Sequence, residues 1–406
     1  MAPDDGPVNS IETRDVLVGR AFVLVTVSTF AYFVGVGVLL PVLPRLVKTG
    51  MGGSNWEVGL MTAAYSASAI ACRPFLAWFT RRFGRRLLML GGSALGAIGM
   101  AAAVPVHAIV PLVGLRLFAG VAEAMFFVGA ATIVTELAPA SRRAEATSYN
   151  SVGVFSGLGL GPVVGDWLGR DAHYGRAFAL AALCAVVSFA FGLFVPADRP
   201  PVDAPVRRTS LVHRGGLGTG SALALAIAGY AGWSAFLALR ADEIGHVNAG
   251  SVFLLYSALT LAFRLFGARV PERVGLGPCA SLSFVMFTVA LLCAALVDGA
   301  AGLWISAVLI SIAVALMYPA LLALTVDNVH DAHERVEVLT TFTMFFEVGG
   351  ALGGVVLGQV AQWSSYQGSF AAGAALSALA LPVVWFTVLA PRRAQLAGAS
   401  TAASPR

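Results

Sequence analysis

The chain has 406 residues, of which 58% are hydrophobic and only 12% are charged. Soluble domains are about half apolar and about a quarter charged, so this composition excludes an ordinary soluble protein and indicates one that lies in a lipid bilayer. The net charge of +5 does not indicate nucleic-acid binding, because the basic residues fall mainly on one side of the predicted membrane.

Twelve mainly apolar stretches follow one another along the chain, and a helix needs about 20 such residues to cross a bilayer. The stretches lie at about 20–45, 55–79, 86–106, 108–135, 147–169, 175–195, 217–240, 250–271, 277–297, 301–326, 338–362 and 368–390. A linker rich in proline and arginine, 196–216, separates two six-helix bundles, 20–195 and 217–390, and the segments 1–19 and 391–406 flank them. The predicted fold class is therefore an all-α membrane protein with 12 transmembrane helices.

The two bundles share a sequence repeat at a single offset of 191 positions. The matching pairs are Tyr65/Tyr256, Ser66/Ser257, Ala67/Ala258, Arg73/Arg264, Phe75/Phe266, Ala77/Ala268, Arg82/Arg273 and Gly84/Gly275. A repeat of about half the chain length indicates two copies of one six-helix fold, related by pseudo-symmetry.

The placement of basic residues predicts the orientation in the membrane. With the N-terminus in the cytoplasm, eighteen of the 26 lysine and arginine residues fall in cytoplasmic segments. Five fall outside, namely Arg45, Lys48, Arg170, Arg176 and Arg240. The excess predicts a multi-pass protein of the inner (cell) membrane whose N-terminus, linker and C-terminus are all cytoplasmic.

The arrangement of helices and loop motifs resembles the major facilitator superfamily over nearly the whole chain. The shared features are two six-helix bundles, a cytoplasmic middle loop and paired loop motifs after helices 2 and 8. Three stretches are similar to its drug–proton antiporter branch: residues 35–44 with a proline pair, residues 116–124 in helix 4, and residues 157–165 in helix 5. This resemblance implies a monomeric secondary transporter that exports a small molecule in exchange for protons by alternating access.

The loops after helices 2 and 8 carry charges that, by this resemblance, form pairs holding one gate state. These residues are Arg81, Arg82, Arg85, Glu272 and Arg273. Arg81 stands where the family usually has an aspartate, whereas Glu272 fills the matching place in the second half. Glu272 and Arg273 are therefore the better candidates for a working pair. The alternative is that these arginines only mark the cytoplasmic side.

Glycines recur at every fourth position of helix 5, which keeps them on roughly one face. Gly157, Gly161 and Gly165, with Pro162 among them, form the antiporter-like motif, although Asp166 replaces its final glycine. A face without side chains lets a neighbouring helix approach closely. The alternative is that these small residues serve only tight helix packing. The motif favours export only because it resembles the motif of the antiporter branch.

Charged residues inside predicted helices are the candidates for proton and substrate coupling. Arg116 and Glu123 lie seven residues apart on helix 4 and point the same way, and Glu347 lies at a similar depth in helix 11. A charge at the bilayer centre costs about 2.5–3.5 kcal/mol, so we expect these glutamates to bind and release a proton, with Arg116 adjusting the balance. The alternative for each glutamate is a structural ion pair with a buried arginine.

Arg73 and Arg264 occupy equivalent positions in helices 2 and 8. The resemblance places helix 2 beside helix 11 and helix 8 beside helix 5, so we expect an ion pair between Arg73 and Glu347. Helix 5 carries Phe155 at the position that matches Glu347. Arg264 is therefore expected to bind backbone carbonyls or an anionic part of the substrate.

Several aromatic residues are candidates to line a cavity for flat apolar compounds. They are Tyr32, Tyr65, Tyr230, Tyr256, Tyr318 and Phe126. The alternative is that they are core or lipid-facing residues.

The sequence has no phosphate-binding GxxxxGK[ST] loop, no metal-ligand cluster and no nucleophile motif, so we predict no enzyme activity, cofactor or metal. The energy for transport must then come from an ion gradient or from the gradient of the substrate itself. We predict a proton-coupled exporter of a small amphipathic compound. Helix 1 lacks an acidic residue, which keeps open an importer or facilitator of a sugar or organic anion. A transport-inactive scaffold or sensor is a further alternative.

Overall fold

The computed structural model describes residues 19–138, 142–196, 212–267, 270–327, 329 and 331–392, and the regular elements in these ranges are all helices. The N-terminal half contains α1 (Arg20–Arg45), α2 (Asn55–Phe83), α3 (Arg85–Ala103), α4 (Ile109–Leu137), α5 (Arg143–Arg170) and α6 (Tyr174–Leu193). The C-terminal half contains α7 (Arg214–Ile244), α8 (Ala249–Phe266), the short α9 (Val270–Val274), α10 (Leu276–Leu296), α11 (Ala300–Val326), α12 (Ala332–Trp363) and α13 (Tyr366–Val384). Turns of π-helix, Leu46–Gly50 and Trp385–Leu389, extend α1 and α13.

Eleven helices in the described residues are long and apolar enough to cross a membrane. The helix α2 is not among them, although its 29 residues exceed the ~20 that a span requires. Arg73 and two serines, Ser66 and Ser68, reduce the hydrophobicity of its middle. The all-α membrane fold is therefore confirmed. Among the described helices, α2 is long enough to span a membrane but is less apolar than the other long helices.

Some helix boundaries differ from the sequence prediction for local reasons. The helix predicted at 250–271 ends at Phe266, and α9 follows separately with Pro271 in its first turn, a position where proline is tolerated because its missing N–H has no intrahelical partner. The helix α2 begins with a capping box between Ser54 and Glu57. The predicted flanking segments and the linker fall mostly outside the described residues.

The two copies of the sequence repeat end in the same backbone turn. Gly84 precedes α3 with φ of 84°, and Gly275 precedes α10 with φ of 94°. L-residues with a side chain rarely adopt this conformation, so the matched glycines make the same tight turn in both halves.

The helices pack as two bundles, and three pairs of helices make most of the contacts between them. In the N-terminal half α1 packs on α5 and α6, and α4 packs on α2 and α3; in the C-terminal half α7 packs on α12 and α13, and α10 packs on α11. The halves meet where α2 contacts α12, α5 contacts α8 and α1 contacts α7. The eleventh predicted helix, 338–362, corresponds to α12, because the short α9 shifts the numbering. The adjacency that the resemblance implied for predicted helices 2 and 11 and for helices 5 and 8 is therefore confirmed. We call the end of the protein at which α1 finishes the Arg45 end. The opposite end, at which α3 begins, is the Arg85 end.

Candidate functional site

A cavity of about 270 Å³ lies between the two halves. Its wall is formed by α1 to α7 and by α12, and most of the lining side chains are apolar. Three charged residues interrupt this apolar wall: Arg116 and Glu123 from α4 and Glu347 from α12. The structure thus brings the three candidate coupling residues to one cavity.

Glu123 lies at the midpoint of α4, and one of its carboxylate oxygens is buried without a hydrogen-bond partner in the described part of the chain. The hydroxyl of Tyr65 approaches the carboxylate. Arg116 donates from Nε to the carbonyl of Met61 at 3.2 Å, and its Cζ lies 4.5 Å from the centre of the Tyr65 ring. Arg116 is therefore engaged by α2, and it leaves an oxygen of Glu123 available to a proton or a ligand.

Glu347 reaches the same cavity from the C-terminal half. The hydroxyl of Ser66 on α2 approaches its carboxylate, and Ser66 also packs closely against Gly350. Because Tyr65 and Ser66 are adjacent, one turn of α2 contacts the acidic groups of both halves. The two glutamates are thereby linked through α2.

Arg73 reaches α12 as expected, but in this conformation its described hydrogen bonds go to Thr343, so the ion pair with Glu347 stays a prediction. Arg73 donates from Nη1 to Thr343 Oγ1 and from Nη2 to the Thr343 carbonyl, both at 3.0 Å. Thr343 lies one helical turn before Glu347, and the guanidinium also interacts electrostatically with the carboxylate of Glu347.

Arg264, the equivalent of Arg73, lies on the ring of Phe155, with Cζ 4.7 Å from the ring centre. Its Nε is buried and has no hydrogen-bond partner among the described residues. Its electrostatic neighbours are the hydroxyls of Tyr256 and Tyr318. In the described part of the chain the structure therefore places an aromatic face, and no acid, beside this arginine.

The candidate aromatic residues separate into lining residues and supporting residues. Tyr32, Tyr65 and Tyr230 line the cavity. Phe126 is fully buried behind Tyr32, with ring centres 4.1 Å apart. Tyr256 lies behind Tyr230 at 5.6 Å, and Tyr318 packs on Phe342 at 5.5 Å. Phe126, Tyr256 and Tyr318 are not part of the cavity wall.

The glycine face of α5 packs against α1. A methyl group added at Gly161 would overlap the backbone of α1 at Val34 and Val38. A methyl group added at Gly157 would lie only 2.8 Å from the carbonyl carbon of Phe33. The absence of side chains on this face therefore sets the close approach of α5 and α1.

The rest of the motif extends this packing to the other half. One turn beyond Gly161, a methyl group at Gly165 would overlap the Val38 carbonyl. Pro162 faces Gly37 of α1, and the Pro162 carbonyl faces Gly250 of α8. The motif thus allows α5 to contact α1 of its own half and α8 of the other half.

An ion cluster joins the halves at the Arg45 end, with Arg45 and Asp166 buried and Asp242 and Arg170 partly exposed. We name these four residues the Arg45 cluster. Arg45 bonds Asp166 of α5 at 2.7 Å and Asp242 of α7 at 2.6 Å, and its side chain is only 3% exposed. Arg170 contacts Asp166 at 3.2 Å and donates to the carbonyl of Val247 in the C-terminal half. Two arginines of one half are therefore bonded to the other half.

A second set of bonds closes the same end between α2 and α12. The backbone of Asn55 donates to Gln362 Oε1, and its side chain donates to the Ala361 carbonyl, both at 2.8 Å. Close to these bonds, Gly59 allows the backbones of α2 and α12 to approach at Gly354 and Gly358. The Arg45 end is therefore held shut on two sides of the bundle.

The described ion pairs at the Arg85 end join helices of the same half. Arg85 bonds Glu136 of α4 at 2.6 Å, and Arg392 bonds Asp327 at 2.7 Å within the C-terminal half. Arg81, Arg82 and Arg273 are exposed. The side chain of Glu272 lies outside what the structure describes, so its pairing with Arg273 stays a prediction.

The Arg45 cluster was not predicted from the sequence. Arg45 and Arg170 served there only as orientation signals, and Asp166 was noted only as a departure from a glycine motif. The available signal was that Asp166 is a charge within an apolar helix, where an unpaired carboxylate is costly. The partner could not be identified, because Asp242 is 197 positions from Arg45 in the sequence.

Comparisons with known proteins agree with this architecture. The sequence matches the profile of the Major Facilitator Superfamily over residues 25–241 and 218–405. The MFS-type transporter YhhS of Escherichia coli is 25% identical over 378 residues, which cover 89% of this chain and 91% of YhhS. The quinolone resistance protein NorA of Staphylococcus aureus is 26% identical over 172 residues, which cover 42% of this chain and 44% of NorA.

Solved transporter structures share the fold at low sequence identity. The nucleoside transporter NupG superposes with a TM-score of 0.72 at 13% identity, covering 90% of this chain and 98% of NupG. The human organic anion transporter MFSD10 superposes with a TM-score of 0.66 at 19% identity, covering 90% of this chain and 99% of MFSD10. Since the family profile covers nearly the whole chain, the protein is a transporter of the Major Facilitator Superfamily.

Proposed function

We propose that the protein is a proton-coupled exporter of a small amphipathic compound. In this proposal it acts as a monomer in the inner membrane, with both termini in the cytoplasm. Glu123 and Glu347 bind protons or substrate, Arg116 adjusts Glu123, and the two halves rock around the cavity to give alternating access.

The observation that carries the proposal is the environment of Glu123. Its carboxylate lies at mid-helix on the wall of an apolar cavity, and one oxygen has no hydrogen-bond partner among the described residues. A carboxylate that served only to hold the helices together would be satisfied by hydrogen bonds or by an arginine. An oxygen that is buried and unsatisfied is instead suited to take up a proton.

The neighbours of Glu123 supply a way to make proton binding depend on substrate. Burial favours the neutral form of a carboxyl group, and a nearby guanidinium favours the charged form. Arg116 is held on the Tyr65 ring and on the Met61 carbonyl. A substrate that enters between these groups changes the contacts of Arg116 or Tyr65, and so changes the balance at Glu123.

The ion cluster at the Arg45 end supports an alternating mechanism. The excess of arginine at the Arg85 end supports a cytoplasmic location for that end, and in this proposal the Arg45 end faces outward. The cluster and the bonds of Asn55 then close the cavity toward the outside. In this proposal the conformation is the one that loads substrate from the cytoplasm, and export requires the Arg45 cluster to break.

The direction of transport is supported by two similarities. The glycine–proline motif of α5 resembles the antiporter branch, and NorA, a quinolone resistance protein, is similar over 42% of this chain. A proton-coupled importer is the second candidate, because α1 contains no acidic residue of the kind that many exporters of the family titrate. The charged cavity favours either form of transport over an inactive scaffold.

The experiment that tests the proposal is the accumulation of a panel of dyes and antibiotics by cells with and without the protein. We expect lower accumulation of at least one compound when the protein is present, and we expect an uncoupler to abolish that difference. Higher accumulation would indicate import. Lower accumulation that persists with the uncoupler would contradict proton coupling, and no difference for any compound would contradict export of this class.

A further inference from the structure

Arg264 is a partly buried cation for which the described residues supply no acidic partner. Its Nε is buried without a hydrogen bond, and its guanidinium lies on the Phe155 ring. An uncompensated charge inside the membrane is costly. We propose that the transported compound carries an acidic group, and that this group binds Arg264. This inference rests on the proposed transport function and adds the chemical class of the substrate.

The internal repeat shows what differs at this position. Arg73, the equivalent residue in α2, donates two hydrogen bonds to Thr343 and lies within electrostatic range of Glu347. The glycine faces of α5 and α12 align at an offset of 192 positions, and at this offset Phe155 is the residue of α5 that matches Glu347. One copy of the repeat therefore supplies an acid from the facing helix, and the other copy supplies an aromatic face. In the second copy the ligand takes the place of the carboxylate.

The surroundings of Arg264 indicate the kind of acid. A guanidinium matches the two oxygens of a carboxylate through paired N–H donors. Phe155 covers one face of the guanidinium, and the hydroxyls of Tyr256 and Tyr318 lie near it. These groups fit a carboxylate attached to a flat apolar or aromatic body.

A pair of packed tyrosines lies between Arg264 and the cavity. Tyr230 lines the cavity, and Tyr256 lies behind it with ring centres 5.6 Å apart. Tyr256 in turn interacts with Arg264. An aromatic acid that binds Arg264 through its carboxylate and keeps its apolar body in the cavity must therefore displace these two tyrosine rings, which pack between the cavity and Arg264.

The test uses the purified full-length protein and three probes that share one apolar body. The probes are 2-naphthoate, 2-naphthylmethanol and 2-naphthylmethylammonium, and the measurement is the concentration of each that raises the thermal unfolding midpoint. We expect 2-naphthoate to act at a concentration about tenfold lower than either of the others, a difference of about 1.4 kcal/mol in binding. Arg264→Gln should remove this preference, and Arg264→Lys should keep part of it.

Arg73→Gln is the matched control, because Arg73 occupies the position in the repeat that is equivalent to Arg264. Unlike Arg264, Arg73 already has Thr343 and Glu347 as neighbours. We expect Arg73→Gln to keep the preference for the acid. Without ligand, Arg264→Gln should be at least as stable as the wild type, since it removes a partly buried charge that has no acidic partner among the described residues. An Arg264→Gln protein that fails to fold would show that Arg264 is a structural contact, which would contradict the inference.

Two further results would overturn the inference. One is a wild-type protein that shows no preference for 2-naphthoate, whether or not the other probes bind. The other is a preference that survives in Arg264→Gln. Uncoupler-sensitive export without a preference for acids would remove this inference and leave the proposed function intact. Binding of 2-naphthoate through Arg264 in a protein that transports nothing would contradict the proposed function and leave the acid-binding role of Arg264 intact.

Discussion

Arg45 at the end of α1 binds both carboxylate oxygens of Asp242 on α7, with Nε 2.6 Å from one oxygen and Nη2 2.7 Å from the other. This two-point contact joins the N-terminal half to the C-terminal half. Asp166 completes the charge balance from α5, and its side chain is fully buried. A bond of this kind cannot survive when the two halves separate at this end, so it stabilises one conformation selectively.

We predict that Asp242→Asn opens the Arg45 end. The measurement is the rate at which an impermeant thiol reagent labels a cysteine at Ser234, which lines the cavity, in a protein whose native cysteines are replaced. We expect labelling from outside to rise about tenfold, equivalent to about 1.4 kcal/mol. This is less than the ~3–5 kcal/mol of a fully buried pair, because Asp242 is 38% exposed.

The control for this prediction is Glu243→Gln. Glu243 follows Asp242 directly, is 50% exposed and pairs with Arg240 within its own helix. The Glu243→Gln substitution should leave the labelling of the cysteine at Ser234 unchanged. Equal labelling of the Asp242→Asn protein and its parent would show that the cluster does not control this end.

We predict that Gly161→Leu abolishes transport while the protein stays in the membrane. A side chain at this position overlaps the backbone of α1 at Val34 and Val38, so α5 can no longer approach α1. Gly114→Leu is the control, because Gly114 has open space around it. Transport is measured relative to the amount of protein in the membrane. Normal export by the Gly161→Leu protein would remove the support that the antiporter-like motif gives to export.

The sequence was sufficient to predict the helices and the repeat, because membrane spans and matched turns are local signals. Gly84 and Gly275 illustrate this, since each residue determines its own turn. The shared direction of Arg116 and Glu123 also followed from helix spacing, whereas the position of Glu347 on the same cavity is known only from the structure. The properties that were predicted depend on residues that are near in sequence or related by the repeat.

The contacts that depend on side-chain reach could not be predicted. Arg73 was expected to pair with Glu347, but its guanidinium donates two hydrogen bonds to Thr343, which lies one turn earlier on α12. Arg45 was expected only to mark the outer side, yet it bonds residues that lie 121 and 197 positions away. Depth within a helix does not determine which of several nearby acceptors a long side chain selects.

We predict that the linker and the C-terminus are cytoplasmic. Single cysteines at Val202 and Ser404, both outside the described residues, should resist an impermeant thiol reagent in intact cells and react after the cells are opened. A cysteine at Asp298, which is exposed between α10 and α11, should react in intact cells. The reverse pattern would place the Arg45 end in the cytoplasm and would invert the proposed orientation.

The last prediction concerns the coupling of transport to protons through Glu123. An antiporter binds substrate and proton competitively, so substrate binding must displace a proton. Glu123→Gln resembles the protonated form and cannot titrate, so it should lose export driven by the gradient and can still bind substrate. Glu347→Gln is the control, and it should retain some proton dependence, with lower stability if its contact with Ser66 is structural.

The most direct measurement is the change in pH when a transported compound is added to the purified protein in weakly buffered detergent. We expect proton release by the wild type, none by Glu123→Gln and reduced but measurable release by Glu347→Gln. Proton uptake by the wild type would indicate co-transport and contradict antiport. Unchanged release by Glu123→Gln, together with its loss in Glu347→Gln, would contradict the central role of Glu123 and assign coupling to α12.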